Sequence, residues 1–356
     1  MQIISRLPFP SLFFHHWDLN GEEMGVLIVK GSFQIKEGKP ARRYLPAQSS
    51  ILLTDEFYAE PNTSALKQES DLAPFKPKTD LSFTAYARSP EAKLLESWPV
   101  RFAIKNKLSY GFHVFGERHW SMADLKHKHH WELSCITPIT ELPLRYDYAY
   151  GGTVNTSEDE LMTHAYNPVG RGLLSQYLCF EKDSIPAPQI GLEGELLKLS
   201  PEEPLTVCGC GPVTKSFLPR LALAGTFDAT WQRERHPRMP IDYSYAYWNA
   251  APLPLQIEPY LLGNERIELV GIRHDPRPYI VELPGVTVDC LVSREGIQDK
   301  EKLTLNLDTV HCDVADIDQK KHWVSLTWRL TLSKPDDINE IELFAHQIEE
   351  VNPHES

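Results

Sequence analysis

Apolar and polar residues alternate with a period of two in many short segments, and this pattern constrains the fold most strongly. In KLTLNLDTV, residues 302–310, the three leucines share one face of an extended strand, and Thr304, Asn306 and Asp308 share the other. Runs of this kind between turn residues are typical of β-strands. The chain is predicted to be mainly β, an antiparallel β-sandwich or open-barrel-like sheets with long ordered loops and few short helices.

Helix signals are weak in comparison. Proline outnumbers glycine by 28 to 19, which indicates many turns and edge segments rather than long helices. One short helix is predicted over 155–165, with Ser157 as its N-cap and acidic residues in the first turn. The predicted strands are 24–35, 81–87, 100–107, 110–117, 131–134, 266–272, 279–284, 286–292, 302–310, 323–332 and 341–345.

The chain has 356 residues, which fits one large domain or two ordinary ones. Its composition changes along its length and suggests three parts. Residues 1–140 form a β-rich N-terminal part, 141–262 a loop-rich middle dense in motifs, and 263–356 a β-rich C-terminal part. The alternative that the first and last parts pack together as one continuous domain stays open.

Charge and cysteine content limit the partners and the compartment. The net charge is −13, and no segment concentrates lysine and arginine as a phosphate-binding face would, so nucleic acid is not an expected direct ligand. Six cysteines are too sparse for a disulfide scaffold, and the N-terminus lacks the pattern of a secretory signal. The longest apolar runs are far shorter than the roughly 20 residues of a membrane helix. A cytoplasmic protein without a membrane partner is predicted.

The segment SDLAPFKPKTD, residues 70–80, combines two prolines, two lysines and two aspartates. Asp71 and Asp80 are candidates for a carboxylate pair in acid–base chemistry, or for acceptors of backbone N–H groups. The backbone role is favoured, because short acidic side chains beside prolines commonly form turns. The prolines predict a stiff, extended entry to the next strand. Solvation is one interpretation of Lys76 and Lys78, and whether Phe75, Lys76 and Lys78 face the core or a partner stays open.

Two neighbouring motifs, YDYAYGGT (146–153) and NPVGRG (167–172), combine glycines with an acid and a base. A hydrolase would use Asp147 and His164 for proton transfer and Arg171 to hold an anion. The structural interpretation, in which Arg171 pairs bidentately with a carboxylate and ties the loops together, is favoured because no nucleophile motif is present.

No metal, cofactor or catalytic residue is predicted. His127 and His129 in KHKHHWEL would share one face of a strand, but a matching carboxylate and an HExxH motif are absent, so a solvated edge is favoured. The CGC at 208–210 has no second cysteine pair at zinc-site spacing, and its glycines are interpreted as turn residues. Phosphate-loop and dinucleotide fingerprints are also absent.

Aromatic residues are densest in WQRERHPRMPIDYSYAYWNAAP, residues 231–252, which also holds three arginines. This composition is typical of protein-binding hot spots and also of a core covered by cation–π contacts; the core interpretation is slightly favoured. The candidates for partner binding are Trp231, Arg235, Tyr243, Tyr245, Tyr247 and Trp248.

Eight segments in one order carry a resemblance that extends over nearly the whole chain. They are VKGSF (29–33), SDLAPFKPKTD (70–80), VFGERHW (114–120), YDYAYGGT (146–153), NPVGRG (167–172), GTFDATWQRERHPRMPIDYSYAYWNAAPLPLQ (225–256), LDTV (307–310) and WR (328–329). Together they resemble a bacterial family of unknown function whose members serve as adaptors, or effector-loading chaperones, in type VI secretion. The motif residues interpreted as structural are Asp71, Phe75, Lys76, Pro77, Thr79, Asp80, Asp147, Gly151, Gly152, Asn167, Pro168, Gly170, Arg171 and Gly172.

The resemblance implies a cytoplasmic binding protein without catalysis. Such a protein binds a secreted effector, through a PAAR-type or N-terminal region, and promotes its loading on the secretion spike. The implied partners are the effector, the spike protein and the PAAR-domain tip protein. Two alternatives stay open: a carboxylate-dependent hydrolase that acts on a glycan or cell-wall substrate through Asp80 and Asp147, and a structural component that is itself exported.

Overall fold

The computed structural model describes residues 1–122, 131–156, 160–175, 184–200 and 203–348. The first strands are β1 (Gln2–Ser5), β2 (Ser11–Trp17), β3 (Glu23–Lys36), β4 (Lys39–Tyr44), β5 (Glu56–Phe57), β6 (Leu66–Gln68), β7 (Thr79–Thr84), β8 (Tyr86–Arg88), β9 (Ser97–Ile104), β10 (Leu108–Phe115), β11 (His119–Met122), β12 (Trp131–Leu133) and β13 (Glu141–Pro143). The middle of the chain contributes β14 (Tyr150–Gly151), β15 (Thr153–Asn155), β16 (Leu161–Thr163), β17 (Arg171–Gly172), β18 (Ser184–Pro186), β19 (Ile190–Gly191), α1 (Glu193–Leu197), α2 (Ala229–Glu234) and β20 (Gln256–Ile257). The last strands are β21 (Arg266–Val270), β22 (Tyr279–Glu282), β23 (Val286–Arg294), β24 (Glu301–Thr304), β25 (Asn306–Asp313), β26 (Trp323–Ser333) and β27 (Ile338–Gln347).

These elements confirm the predicted mainly-β fold class. The largest sheet has twelve strands and curls like half of a barrel, in the order β19-β10-β9-β21-β22-β4-β3-β26-β25-β7-β20. The remaining strand, β2, pairs with the first half of β3. Most neighbours are antiparallel, and β25 pairs with β7 in parallel.

The centre of the large sheet is the pairing of β3 with β26. It runs without interruption from Met24 to Gln34, and the side chains of both strands are almost entirely buried. Buried on both faces, β3 shows a continuous apolar run rather than a clean alternation. A second sheet, β1-β27-β23-β24, shares one hydrophobic core with the large sheet. That core joins Leu27 and Trp328 of the large sheet to Val288 of the second.

Two local predictions are wrong. The segment predicted as a helix at 155–165 contains β16, which pairs in antiparallel fashion with β15, while Ser157 lies outside the described residues. The segment 302–310 is two strands: β24 belongs to the second sheet and β25 to the large one. A bulge between Leu307 and Thr309 leaves Asp308 outside the pairing and buries it, because one extra residue there changes the face that a side chain occupies.

The large sheet takes strands from all three predicted parts of the chain. In this sheet, β3 and β9 come from the first part and β19 and β20 from the middle. The last part contributes β21, β22, β25 and β26. The division into three parts stays a prediction. Within the described ranges, no helix has the length and apolar character needed to cross a membrane.

Candidate functional site

The segment 70–80 lies against the central strands of the large sheet, and its first aspartate is buried there. One carboxylate oxygen of Asp71 accepts hydrogen bonds from Lys30 Nζ and from the backbone N–H of Leu52, both at 2.7 Å. Only 7% of Asp71 is exposed. A backbone donor and an ion-pair partner therefore occupy this carboxylate, which fits its structural interpretation.

Arg329, in the second half of β26, ties the same segment to the sheet. Its Nε donates to a carboxylate oxygen of Asp308 at 2.5 Å, and its Nη1 donates to the carbonyl oxygens of Asp71, at 2.9 Å, and Ala73. Arg329 is 3% exposed and Asp308 1% exposed. The planar guanidinium thus links two strands and a loop that are distant in the sequence.

Lys76 is buried, so the interpretation that it is solvated is wrong and its side chain faces the core. Its Nζ donates to Asp80 Oδ2 at 2.8 Å and to Thr309 Oγ1 at 3.2 Å, and lies 3.6 Å from Glu69 Oε2. Burial acts to lower the pKa of Lys76, but the carboxylates of Asp80 and Glu69 outweigh burial and the pKa is raised. The ammonium group therefore stays charged inside the protein.

Lys78, by contrast, is partly exposed, and its Nζ lies 3.4 Å from a carboxylate oxygen of Glu258. The neighbouring Phe75 is half-buried and packs edge-to-face on Tyr245, with ring centroids 5.3 Å apart. Pro77 is half-buried as well. Of the three side chains whose direction the sequence left open, Lys76 faces the core and the other two lie at its boundary.

Asp80 joins this segment to the long motif at 225–256. Its Oδ1 accepts from Asn249 Nδ2 at 3.0 Å, and its Oδ2 accepts from the backbone N–H of Ala250 at 2.8 Å. The same Asn249 amide donates to the carbonyl of Lys78 at 2.9 Å. Next to it, the Thr79 hydroxyl donates to the carbonyl of Leu307 at 2.6 Å and accepts from Leu261 N–H at 2.9 Å. The motif residues therefore hold segments of the chain in register.

The glycines of the two middle motifs form a tight corner around Asn167. The Asn167 amide is fully buried and donates to the carbonyls of Tyr146 and Tyr150, at 2.9 and 3.0 Å. A Cβ on Gly170 would lie 2.4 Å from that amide nitrogen, and one on Gly151 would lie 2.1 Å from the Asn167 carbonyl oxygen. Larger side chains do not fit here. The adjoining Gly152 and Gly172 have positive φ angles of 119° and 89°, and Pro168 is half-buried.

Arg171 ties these loops together, but without the predicted carboxylate. Its Nε donates to the backbone carbonyl of Asp147 at 2.7 Å and its Nη1 donates to Gln189 Oε1 at 3.2 Å, while the guanidinium lies 4.1 Å from the centre of the Tyr148 ring. The Asp147 carboxylate faces the backbone N–H of Ala65, at 3.3 and 3.4 Å. The bidentate pairing is therefore wrong, because a carbonyl and an aromatic ring take the place of the carboxylate.

In the aromatic segment, contacts with the body differ between the two ends. Trp231 and Arg235 are half-buried; the indole N–H donates to the carbonyl of Arg238 at 2.8 Å, and the guanidinium donates to the carbonyl of Met239 at 2.9 Å. Tyr243 is buried, with 7% exposed. Tyr245, Tyr247 and Trp248 are half-buried. Arg220 lies over the Tyr247 ring at 5.6 Å, and Lys215 lies over the Trp248 ring at 5.3 Å. Of these candidates for partner binding, Tyr243 therefore belongs to the buried interior, and the other five lie partly at the surface.

The sequence interpretation missed several partners of the motif residues. Lys30 and Glu69 are the clearest, because Arg220 Nη2 donates to Glu69 at 2.6 Å while Lys30 holds Asp71. A signal for Lys30 was available: it lies inside the apolar run VLIVKGSF, and a lysine in such a run needs a buried partner. Nothing in the sequence identified Asp71 as that partner.

The metal and thiol candidates have simple surroundings. His127 and His129 lie outside the described residues. Cys208 and Cys210 are buried free thiols, and burial raises the pKa of Cys208 to about 12, so neither has the character of a reactive thiolate. In the part of the chain that the structure describes, His15, Glu23 and Asp336 could hold an ion, with ligand atoms within 4.8 Å of one another, but all three are exposed.

Comparison with known proteins identifies a family and no activity. The family model of an uncharacterized protein conserved in bacteria, DUF2169, matches residues 20–329. The match begins in the turn before β3 and ends at Arg329, so it contains all of the ordered motifs. No curated protein and no solved structure matches the chain.

Proposed function

This chain belongs to the DUF2169 family of uncharacterized bacterial proteins, and from that premise we propose that it is an adaptor of type VI secretion. In the cytoplasm it binds a cognate secreted effector and promotes its loading on the spike. Its partners are the effector, the spike protein and the PAAR-domain tip protein. The proposal draws on the resemblance of the ordered motifs, and on motif residues whose polar groups are engaged in holding the fold.

The observation that best supports a binding role is the outer edge of β2. Lys30 N–H donates to the carbonyl of Pro10 at 3.1 Å, which makes these two residues a hydrogen-bonded pair. Because hydrogen-bonded and non-bonded pairs alternate along an antiparallel ladder, the backbone groups of Ser11, Phe13 and His15 point away from β3. Among the described residues, no strand pairs with this edge.

The composition of β2 suits the addition of a partner strand. Natural edge strands are commonly protected by lysine, proline, a bulge or a short length. β2 has seven residues, SLFFHHW, without proline, lysine or a register shift, and Trp17 is 62% exposed. An extended segment of the effector can add to such an edge through backbone hydrogen bonds, with side chains supplying specificity.

The experiment is the isolation of tagged protein from its native bacterium, with identification of bound proteins by peptide mass spectrometry. The wild type is expected to capture an effector together with spike or tip components. His15→Pro removes one outward N–H without changing the β2–β3 ladder, and is expected to lose the effector. His15→Ala keeps that N–H and is the matched control. Capture of no secretion component by the wild type would count against the proposal.

The hydrolase alternative relies on Asp80 and Asp147, and no specific observation favours it. Asp80 is 2% exposed, and both of its oxygens already accept hydrogen bonds from Lys76, Asn249 and Ala250. A general acid or base must reach its substrate within hydrogen-bond distance. Binding of a partner is therefore the function that the geometry supports best.

A further inference from the structure

An open groove of about 660 Å³ lies where several family motifs meet. Tyr146 begins the YDYAYGGT motif and lines the groove, Tyr166 directly precedes NPVGRG, and Leu253 belongs to the end of the 225–256 motif. The volume falls within the range of roughly 300–1,000 Å³ that is usual for ligand sites. The motifs therefore shape a concave surface as well as a buried framework.

The lining of this groove carries no formal charge. It is formed by tyrosines, leucines, prolines, valines, a threonine, a cysteine and a histidine, and among the described residues no aspartate, glutamate, lysine or arginine lines it. Burial lowers the pKa of the single histidine, His164, so its imidazole is neutral at pH 7. In a chain with 24% charged residues and a net charge of −13, such a surface favours an uncharged occupant, because the lining offers no charged partner to a buried ion.

The rim holds apolar side chains in water, and its backbone is constrained at Leu253. Leu253 is 63% exposed between Pro252 and Pro254, whose rings fix the backbone on both sides. Tyr166 and Leu192, also at the groove, are 52% and 39% exposed. Large apolar side chains grouped in this way gain from being covered, and fixed walls reduce the entropy that an occupant must overcome.

Acidic residues lie in the chain directly beside the lining. Glu193 follows Leu192 and Glu203 precedes Pro204, and both glutamates are exposed. The basic neighbours of the lining are engaged in the protein instead: Arg220 is buried against Glu69, and Arg145 is half-buried with its guanidinium over the Tyr58 ring. A cation next to an uncharged segment would be attracted to these carboxylates, while a second copy of this chain would bring another −13 charges. Charge complementarity therefore favours a different protein with basic residues beside an apolar stretch.

We propose that this groove binds an uncharged, apolar segment of the effector chain that is flanked by basic residues. This inference rests on the proposed adaptor function and assigns it a second contact, independent of the β2 edge. The three exposed rim side chains, Tyr166, Leu192 and Leu253, become covered on binding. The segment lies in the groove without forming a covalent bond.

The decisive variant is Leu253→Glu, which places a carboxylate on the rim. Leu94→Glu is the matched control, because Leu94 is 70% exposed and does not line the groove. Both substitutions replace exposed leucines, so the urea midpoints of the two variants should agree with that of the wild type. Leu192→Glu serves as a second groove variant if Leu253→Glu does not fold.

Two readouts separate the groove from the adaptor function. Nile red, an uncharged apolar dye, is expected to bind the wild type and Leu94→Glu at one saturable site, and Leu253→Glu about tenfold or more weakly. Capture of the effector from the native bacterium is expected to fall about tenfold for Leu253→Glu alone, and capture by the wild type is expected to weaken at high salt.

The contrary results are distinct. Equal effector capture by Leu253→Glu and Leu94→Glu would overturn the proposal that the groove binds the effector, and would leave the adaptor function standing. Loss of dye binding with unchanged effector capture would assign the groove to small apolar molecules and overturn the inference. Self-association of the wild type that Leu253→Glu abolishes would assign it to a second copy, with the same consequence. Capture of no effector by the wild type would overturn the adaptor function itself.

Discussion

Replacement of Arg329 by methionine tests whether the family motifs hold the fold through buried charges. The substitution keeps much of the side-chain volume but removes the guanidinium that pairs with Asp308. Asp308 is 1% exposed, so its carboxylate would lose its ion-pair partner inside the protein. Removal of one partner from a buried pair costs about 3–5 kcal/mol. We expect Arg329→Met to lower the free energy of unfolding by that amount.

The double variant Arg329→Met with Asp308→Leu separates the cost of an unpaired buried carboxylate from the cost of the lost hydrogen bonds. Because both charges are then absent, the cost of an unpaired carboxylate disappears. The carbonyl oxygens of Asp71 and Ala73 still lose the donor that Arg329 supplies, and each unsatisfied buried group costs about 1–3 kcal/mol. The double variant should therefore recover only part of the stability, and the two substitutions should not be additive.

Urea unfolding at pH 7 measures these differences, provided that the m-value stays constant. Arg277→Met is the control, because Arg277 pairs with Asp275 and its side chain is 80% exposed. An exposed pair contributes little, so this control should change stability by less than about 1 kcal/mol. A decrease in the free energy of unfolding that is smaller for Arg329→Met than for the control would show that the motif residues do not act as a buried ionic framework. The same would follow if the effects of Arg329→Met and Asp308→Leu on that free energy were simply additive.

Three further predictions concern other buried positions. Lys76→Met should lower the free energy of unfolding by about 3–5 kcal/mol in urea, because the buried Asp80 loses its ion-pair partner while Glu69 keeps Arg220, whereas Lys78→Met should change little. His311 is fully buried with its pKa lowered to about 3 from 6.5 by burial and by Lys30 and Lys67, so only the unfolded state binds its proton between these values. Stability should fall as the pH falls through that range, by up to about 1.4 kcal/mol per pH unit from this group, and His311→Gln should remove that part of the slope. Gly172→Ala should cost about 2 kcal/mol or more in the same assay, because φ is +89° and the Cβ would lie 2.5 Å from Pro188 Cδ, whereas Gly194→Ala meets no atom within 4 Å and should not destabilise.

The strands were predictable because their signal is local. β3, β9, β22 and β26 each contain an apolar run or an alternation that the sequence displays over their own length. The helix predicted at 155–165 relied on a cap and two apolar residues, and the pairing of β15 with β16 outweighed that weak preference. Tertiary contacts commonly override a signal of that size.

The buried framework was not predictable, because its partners are distant in the sequence. Asp71 meets Arg329 across 258 residues and Thr79 meets Leu307 across 228. Each charge alone looks like a solvated side chain, so the sequence does not show that Lys76 is buried. Only the fold shows that its carboxylate partners surround it, and the bulge that turns Asp308 inward depends on the pairing of β25 with β26.

The groove was also hidden, for a different reason. Its walls come from residues near 110, 146, 166, 192, 205, 218 and 253, which belong to segments far apart in the sequence, some inside the motifs and some outside them. Their common property is the absence of charge, which becomes informative only when the fold brings them to one surface. The glycines and Asn167, in contrast, were recognised as architectural from their own motif.

The loading of an effector is the central claim, and secretion from a deletion strain tests it most directly. The gene for this protein is deleted in its native bacterium, and the effector and spike protein are quantified in the secreted fraction. The adaptor account predicts that the spike protein is still secreted while the effector is lost, and that the wild-type gene restores it. Secretion of the effector at the wild-type level from the deletion strain would contradict the account.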